Sequence, residues 1–228
     1  MPDHVIPCPA QPSLPVAGTA ARFPVRRIFC VGRNYAEHAR EMGHDPNAEP
    51  PFFFTKPADA LVMDGATIPY PPATADLHHE AELVVAIGTG GANIPEARAL
   101  EHVWGYASGN DLTRRDLQAT AKAQRRPWDM AKGFDRSAVV GTLHPATPGN
   151  APSGRIACTV DGFLRQEAIL SEMIWPVPAI IAFLSQFVEL QPGDLIFTGT
   201  PAGVGALSRG QTCVIEIEGL SPAGVTIA

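Results

Sequence analysis

The sequence predicts an α+β fold, in which a mixed, strongly curved β structure is covered by a few helices. Short runs rich in Val, Ile and Phe, typical of strands, outnumber the segments with helical spacing. These strands do not alternate regularly with helices, which argues against a doubly wound parallel sheet. An Asp161-Gly162 dipeptide between two strand-like runs predicts a tight β-hairpin, because this pair accepts the positive φ angles of the turn.

The N-terminal residues 1–24 are expected to form an irregular arm. Prolines remove backbone donors and favour extended chain, and this segment contains Pro2, Pro7, Pro9, Pro12 and Pro15. Residues 25–228 are expected to form a single domain, since a chain of 228 residues with 45% hydrophobic content is long enough to bury one full core.

The first half of that domain is predicted to contain four strands and two helices. Apolar runs place strands at residues 27–31, 52–55, 80–87 and 103–107, the second of them closed by Pro57. Polar stretches with helical spacing place helices at residues 35–42 and 114–123. A bend is expected at Ser108-Gly109-Asn110, because small, turn-forming residues follow the fourth strand there.

The second half is predicted to hold the hairpin, a helix and two further strands. A Gly- and Pro-rich connection over residues 144–154 leads to hairpin strands at 155–160 and 163–166. Pro178 suits the first turn of a helix over residues 178–188. After a Pro-Gly-Asp turn come a strand at 195–198, a glycine-rich loop at 199–205 and a last strand at 212–218.

Charge and composition exclude several classes of function. The chain has 17 Lys and Arg against 23 Asp and Glu, a net charge of −6, and no basic run longer than a pair, so the footprint of a nucleic-acid-binding protein is missing. The longest apolar stretch is broken by Pro176 and Pro178, which predicts no membrane span. Scattered cysteines and an N-terminus without an apolar signal region predict a cytoplasmic protein that acts on a small molecule.

A metal site is predicted from three acidic side chains. Glu80 and Glu82 are two apart in a predicted strand, so both project from one face, and two adjacent carboxylates require a positive neighbour. Asp111, which follows the predicted strand at 103–107, offers a third carboxylate. Oxygen ligands without paired cysteines or histidines favour Mg²⁺ or Mn²⁺ over Zn²⁺.

Each of these acidic residues also has a simpler interpretation. A Glu-x-Glu pattern on a strand is often a solvent-facing surface, and Glu216 and Glu218 show the same pattern in this chain. Asp111 could instead cap the predicted helix that begins near residue 114. The residues by themselves leave these alternatives open.

A general base is predicted on the first helix. His38 and Glu41 are three residues apart there, so their side chains can meet, and a carboxylate beside an imidazole raises its basicity. Lys132 lies among apolar residues, where it would either neutralise the carboxylates or donate to an oxyanion. The alternatives are an exposed helical pair for His38 and Glu41 and a solvated surface lysine for Lys132.

Three polar side chains are candidates for substrate contacts. Arg115 and Gln118, three apart and just after Asp111, would reach over the same ion to a substrate oxygen. Thr200 lies in the loop at 199–205, whose backbone N–H groups and hydroxyl suit a carboxylate. This loop lacks the Lys-Ser/Thr pair that opens the helix of a nucleotide-binding P-loop.

Six stretches make the chain resemble the fumarylacetoacetate hydrolase superfamily from about residue 22 onward. In order, they are GRNYAEHAREM, PFFFTKPADALV, HHEAELVVAIG, GYASGNDLTRRDLQ, PWDMAKGFD and PGDLIFTGTPAGVG. Within the superfamily, the segments FPVRRIFCVGRNYAEHAREMG and PPFFFTKPADA are most similar to the fumarylpyruvate hydrolases of gentisate-type aromatic degradation. Gln211 and Asp161 depart from the Asp and Asn that are frequent in the family, and neither is a proposed ligand.

The resemblance implies a mixed β-roll, usually a homodimer, with residues 25–228 as the catalytic domain. It also implies a role for each candidate residue. The implied roles are metal binding for Glu80, Glu82 and Asp111, water activation for His38 and Glu41, stabilisation of the substrate by Lys132, Arg115 and Gln118, and carboxylate binding by Thr200.

The implied reaction is hydrolysis of a carbon–carbon bond in a 2,4-dioxo acid, with fumarylpyruvate giving fumarate and pyruvate. The distal carboxylate of this substrate needs a cation, and the sequence offers Arg33, Lys56, Arg114 and Arg125 without ranking them. An acylpyruvase or oxaloacetate decarboxylase of the same superfamily would use the same ion. A metal-stabilised binding protein without catalysis is the alternative from another class.

Overall fold

The structure, a computed structural model, describes residues 4–41, 43, 50–147 and 151–228. Strands predominate over helices in these residues. The strands, in chain order, are β1 (Ser13–Pro15), β2 (Arg22–Pro24), β3 (Arg27–Gly32), β4 (Phe52–Lys56), β5 (Leu61–Met63), β6 (Ala66–Ile68), β7 (Leu77–His79), β8 (Ala81–Ile87), β9 (Val103–Asp111), β10 (Thr113–Arg114), β11 (Ala138–Val140), β12 (His144–Pro145), β13 (Arg155–Val160), β14 (Phe163–Ile169), β15 (Asp194–Phe197), β16 (Gly205–Ala206), β17 (Thr212–Ile217) and β18 (Ala223–Ile227). The helices are α1 (Ala36–Glu41), α2 (Arg115–Ala123), α3 (Asp129–Lys132) and α4 (Val177–Leu184), with short 3-10 helices at Ala58–Ala60, Glu96–His102 and Leu170–Glu172.

An eight-stranded mixed sheet forms the centre of the molecule. Its order is β4-β3-β15-β8-β9-β11-β5, with β12 paired to β9 beside this path. β3 runs parallel to β15, and β5 runs parallel to β11, whereas β8 and β9 are antiparallel to each other. Every residue of β8 is buried, with Leu83 and Val85 in one core and Val84 and Ala86 in another. Glu82 therefore lies on a strand that is covered on both faces.

A five-stranded sheet, of order β14-β13-β17-β18-β6, packs against one face of the central sheet. Ile156 of β13, Ile215 of β17 and Ile181 of α4 lie with Leu83 in the larger core between them. The predicted hairpin between β13 and β14 is confirmed, and its turn residues Asp161 and Gly162 have φ angles of 51° and 80°.

The prediction of an irregular arm over residues 1–24 is wrong for part of that segment. β1 and β2 pair as an antiparallel ribbon, and Leu14 and Phe23 are buried in the smaller core on the other face of the central sheet. The apolar side chains between the prolines decide this outcome, because they cover a sheet face that would otherwise meet water. Pro15 is tolerated because it ends a strand of a two-stranded ribbon.

The predicted bend at Ser108-Gly109-Asn110 is also wrong, because β9 continues without interruption to Asp111. Gly109 pairs with Glu82 on β8, and a Cβ atom at this glycine would lie 2.4 Å from Cγ2 of Val84. Close packing of the two strands, and not a turn, therefore requires glycine at this position. The continued pairing also fixes Asp111, whose N–H donates to the backbone oxygen of Glu80 at 2.9 Å.

Smaller differences concern the ends of elements. The helix predicted over residues 178–188 is α4, which begins at Val177 and ends at Leu184, and tighter turns follow it, with the Phe187 N–H donating to the Leu184 oxygen. The connection expected over residues 144–154 contains the short strand β12. Met42, the last residue of the helix predicted over 35–42, lies outside the described residues. Within the described part of the chain, all helices are too short or too polar to cross a lipid bilayer.

Candidate active site

Three carboxylates converge where β8 and β9 pair. Glu80 immediately precedes β8, Glu82 lies on it opposite Gly109, and Asp111 ends β9. The side chains of Glu80, Glu82 and Asp111 are buried, and each offers an oxygen atom within 4.8 Å of the others. This cluster depends on the uninterrupted β9 strand, because only that pairing brings Asp111 beside Glu80.

Cationic side chains surround the cluster. Nζ of Lys132, at the end of α3, donates to Oε2 of Glu80 and Oδ2 of Asp111, at 2.7 Å in each case. Nη2 of Arg115 donates to Oε1 of Glu80 at 2.6 Å. Burial by itself would raise the pKa of Glu80, but the charges of Lys132 and Arg115 outweigh it and hold this pKa below its ordinary value. Lys132 thus neutralises carboxylates, the first of the two roles predicted for it.

Glu82 is buried with much less compensation. The Gly199 N–H donates to its Oε2 at 2.7 Å, but none of the described Lys, Arg and His side chains forms an ion pair with it. Burial, reinforced by the charges of Asp111 and Glu80, raises the pKa of Glu82 well above its ordinary value. A cation bound beside it would remove this penalty.

The cluster fits a hard divalent cation. Its donors are carboxylate oxygens, which Mg²⁺ and Mn²⁺ prefer. Oδ1 of Asp111 is buried and accepts no hydrogen bond, since the ammonium of Lys56, although 2.7 Å away, lies outside hydrogen-bonding angles. A cation held by Glu80, Glu82 and Asp111 would give Oδ1 of Asp111 a further contact and would add a charged partner to the Gly199 N–H that the Glu82 carboxylate already accepts.

Lys56 is expected to support folding and not to bind substrate. Its side chain is completely buried, and Nζ donates to the backbone oxygens of Leu112, at 3.0 Å, and of Lys132, while lying against Asp111. Lys56→Met should lower the free energy of unfolding of the metal-free protein by about 3 kcal/mol, because it leaves a buried carboxylate less well compensated. Urea denaturation measures this difference.

An exposed ion pair supplies the control for Lys56. Arg98→Met removes the contact with Glu101 on the surface, and we expect the urea midpoint to change little. Equal midpoints for the two variants would contradict a structural role for Lys56. Because its donors are used inside the protein, the structure argues against Lys56 as the cation for a distal carboxylate.

His38 and Glu41 meet on α1, as their spacing predicts. Nδ1 of His38 lies 3.1 Å from Oε2 of Glu41, whose two oxygens each lie 3.3 Å from the Gly203 N–H. Burial lowers the pKa of His38 and outweighs the opposing effects of Glu80 and Glu41. A neutral imidazole that donates from Nδ1 to Glu41 keeps Nε2 available to accept a proton.

A cavity of about 30 Å³, with room for roughly one water molecule, brings these groups together. Besides Glu80 and Glu82, the predicted residues on its wall are His38, Arg115, Gln118, Lys132, Thr200 and Arg33. A larger open cleft of about 570 Å³ adjoins it, and the two share Arg33, Phe54, Trp128 and Lys132 as wall residues. A substrate larger than water therefore has an approach from the cleft.

The polar side chains on this wall are oriented by their neighbours. Nη1 of Arg115 donates to Oε1 of Gln118 at 2.7 Å, which leaves the amide N–H groups of Gln118 for another acceptor. Oγ1 of Thr200 accepts from Nε2 of Gln166 at 2.8 Å, so the threonine hydroxyl keeps its own hydrogen for donation. Both side chains can donate to substrate oxygens.

Three residues at the site were not singled out from the sequence. Lys122 and Trp128 lie on the wall of the small cavity, and Gln166 positions Thr200. Lys122 follows Arg115 and Gln118 at a spacing of i, i+3 and i+7 on α2, so helical periodicity could have found it. Gln166 had no such signal, because its partners come from distant parts of the chain.

Comparison with known proteins identifies the family of this chain. A sequence profile described as fumarylacetoacetate (FAA) hydrolase C-terminal matches residues 27–228. The chain belongs to this family. The β-roll with few covering helices, expected from the resemblance of six sequence stretches, is confirmed as the FAA hydrolase fold.

Relatives in the FAA hydrolase family include proteins of known activity. The chain is 50% identical to the fumarylpyruvate hydrolase of Pseudomonas aeruginosa, crystallised in complex with Mn²⁺ and pyruvate, with a TM-score of 0.97 over 99% of both chains. It is 43% identical over 183 residues to a fumarylpyruvate hydrolase of a Ralstonia species, which covers 80% of this chain and 95% of the relative. It is 40% identical over 197 residues to the mitochondrial oxaloacetate decarboxylase of Dictyostelium discoideum, which covers 86% of this chain and 90% of the relative.

Proposed function

We propose that this chain is a metal-dependent hydrolase that cleaves a carbon–carbon bond of a 2,4-dioxo acid, converting fumarylpyruvate to fumarate and pyruvate. The observation that carries the proposal is the presence of His38 beside Glu80 and Glu82 on the wall of one cavity. The likeness to a fumarylpyruvate hydrolase crystallised with Mn²⁺ and pyruvate supports both the cofactor and one product. All proposed site residues lie within 25–228, which we take as the catalytic domain.

Glu80, Glu82 and Asp111 would hold Mg²⁺ or Mn²⁺. When bound, such an ion supplies a Lewis acid that polarises substrate oxygens and stabilises negative charge. Lys132 and Arg115 prepare the site by keeping Glu80 ionised, since their charges lower its pKa. A divalent ion therefore meets a carboxylate that does not have to lose a proton first.

His38 would act as the general base. Its Nε2 takes a proton from a water molecule while the water oxygen forms a bond to the C4 carbonyl carbon of the substrate. Glu41 stabilises the imidazolium that results, through the contact with Nδ1. The burial of His38 favours the neutral imidazole that this step requires.

Collapse of the tetrahedral adduct would break the bond between C3 and C4. The bonding electrons pass to the enolate of pyruvate, fumarate leaves, and C3 takes the proton from the His38 imidazolium, which gives pyruvate and regenerates the base. Lys132, Arg115 and Gln118 would stabilise the oxyanion, and a well-placed donor contributes about 3–4 kcal/mol to such a step. Thr200 would hold the carboxylate of the pyruvate half.

Oxaloacetate decarboxylation is the second candidate, because the chain is 40% identical to an oxaloacetate decarboxylase. That reaction also produces the enolate of pyruvate, so the carboxylate cluster and Lys132 would serve it equally well. It needs no attacking water, and therefore no general base in the position of His38. The His38–Glu41 pair favours hydrolysis as the main activity.

A comparison of three substrates tests the proposal. Fumarylpyruvate, acetylpyruvate and oxaloacetate are supplied separately, with Mn²⁺ or with a chelator, and the loss of each is followed by absorbance. We expect fumarylpyruvate to give the highest kcat/KM, chelation to stop the reaction and added Mn²⁺ to restore it. A preference for oxaloacetate would show that decarboxylation is the main activity. If none of the three substrates is turned over, the proposal that the chain is an enzyme is contradicted.

A cytoplasmic location and a role in gentisate-type aromatic catabolism are also part of the proposal, and so is the homodimer expected from the resemblance.

An apolar strip on β14 supports the homodimer. β14 lies at the edge of the five-stranded sheet and exposes Phe163, Leu164 and Ile169. A second copy of the chain would cover this apolar strip and the unpaired strand edge. Light scattering of the protein and of Leu164→Glu tests the dimer, with a lower mass expected for the variant.

A further inference from the structure

We infer that Lys122 binds the distal carboxylate of the substrate and thereby selects fumarylpyruvate over acylpyruvates that lack this group. The inference rests on the proposed function and assigns the cation that the sequence left open. Lys122 lies on the wall of the same small cavity as His38, Glu80 and Glu82, and Trp128 on that wall also borders the larger cleft from which a substrate would approach.

The position of Lys122 along α2 matches the length of the substrate. Arg115, Gln118 and Lys122 occupy one face of this helix, in the order i, i+3 and i+7. A rise of about 1.5 Å per residue places Lys122 roughly 6 Å beyond Gln118 along the helix axis. The distal carboxylate carbon of fumarylpyruvate is three bonds from C4. If the oxo groups bind near Arg115 and Gln118, a substrate that lies along α2 has its distal carboxylate near Lys122.

The charge environment of Lys122 favours an anion. Among the described residues no carboxylate forms an ion pair with this ammonium, which lies 5.2 Å from the centre of the Trp128 ring. Burial, followed by the charges of Arg115 and Arg33, lowers the pKa of Lys122 to about 8. A substrate carboxylate beside this ammonium would offset both the burial of its charge and the repulsion from the neighbouring cations.

Three of the four cations that the sequence offers for this role are less well placed, and the fourth, Arg33, lies on the same cavity wall as Lys122. Lys56 uses its donors inside the protein. Arg114 lies over the Phe134 ring at 4.3 Å and donates to the backbone oxygen of Met130 at 3.3 Å. Arg125 is exposed and absent from the walls of both cavities. Arg33 borders both cavities and stacks on Phe52 at 5.1 Å, where it adds positive potential around Lys122.

The aromatic residues near Lys122 suit the flat part of the substrate. Trp128 contacts Phe52 edge to face, with ring centres 5.4 Å apart, and Phe54 at 5.8 Å. Trp128 and Phe54 border the small cavity and the larger cleft alike. A planar, conjugated chain between the C4 carbonyl and the distal carboxylate would pack against these rings while its charge reaches the ammonium.

Lys122→Gln tests the inference, because it keeps most of the side-chain length and removes the charge. We expect kcat/KM for fumarylpyruvate to fall about 10- to 100-fold, mainly through KM, as for loss of one charge-assisted hydrogen bond. The value for acetylpyruvate, which has no distal carboxylate, should stay within about threefold. Lys122→Arg should regain most of the activity, and Arg136→Gln, which removes an exposed cation away from both cavities, should behave as wild type.

Losses of equal size for both substrates, or no loss for fumarylpyruvate, would overturn the role of Lys122 while leaving the proposed function intact. Failure of the wild type to hydrolyse fumarylpyruvate would instead overturn the proposed function. In that case calorimetry with fumarate still tests Lys122. Binding about tenfold weaker in Lys122→Gln than in wild type supports the inference, whereas equal binding, or none by either protein, contradicts it.

Discussion

Glu82→Gln is expected to abolish metal-dependent turnover without weakening the fold. Glutamine has nearly the same shape but carries no negative charge, so the cluster loses one of its three carboxylates. We expect kcat/KM for fumarylpyruvate to fall by more than about 1,000-fold, which corresponds to several kcal/mol of transition-state stabilisation. Calorimetric titration with Mn²⁺ should show a parallel loss of affinity.

The same variant should be at least as stable as wild type when no metal is present. The pKa of Glu82 is raised by burial and by the charges of Asp111 and Glu80, so the wild-type side chain is held in an unfavourable environment. The amide oxygen of glutamine can still accept the Gly199 N–H that contacts Oε2 in the wild type. Thermal unfolding in a chelator measures this part of the prediction.

Glu216→Gln is the matched control for Glu82. Glu216 belongs to the second Glu-x-Glu pattern, on β17, and is exposed, so its replacement should change neither Mn²⁺ affinity nor turnover. Unchanged turnover in Glu82→Gln would remove the metal site from the mechanism. A large loss of stability in the metal-free variant would show that Glu82 has a structural role.

His38→Asn is expected to separate metal binding from hydrolysis. A positioned general base typically contributes about 10²- to 10⁴-fold, and we expect kcat for fumarylpyruvate to fall within that range. The affinity for Mn²⁺ should be unchanged, because the imidazole is not part of the carboxylate cluster. Steady-state kinetics and calorimetric titration on the same preparation measure the two quantities.

Two further variants define what the loss at His38 means. Glu41→Gln keeps the imidazole but removes the charge next to Nδ1, so a smaller loss of kcat is expected. His102→Asn changes a histidine outside the cavity and should leave kcat unaffected. Hydrolysis that survives in His38→Asn would assign the base to another group. Any oxaloacetate decarboxylation should persist in this variant, because that reaction has no attacking water.

The two Glu-x-Glu patterns show which part of the metal site could be predicted from the sequence. Glu80 and Glu82 form the same local pattern as Glu216 and Glu218, so alternation along a strand could not separate a buried cluster from a solvent-facing surface. The resemblance to the fumarylacetoacetate hydrolase superfamily indicated that the first pattern, and not the second, belongs to the metal site. The physical difference is the burial of β8 between two cores, whereas Glu216 of β17 faces water.

Features set by contacts between distant residues could not be predicted. The spacing of His38 and Glu41 is local, and their contact was predicted correctly. Lys56 was a candidate for binding the distal carboxylate because nothing near it in sequence reveals Asp111 and Leu112 as its partners. Gly109 looked like part of a bend because the strand it packs against lies more than twenty residues away.

The ribbon formed by β1 and β2 has a consequence for where this protein can be divided. Similarity to the family profile begins at residue 27, yet Leu14 and Phe23 shield Ile28 and Phe197 from water. A Cβ atom at Gly109 would meet Phe197 at 2.9 Å, so the shielded layer directly supports the strand that carries Asp111. The stretch that the family profile matches is therefore shorter than the stretch that must be present for the acidic cluster to keep its shape.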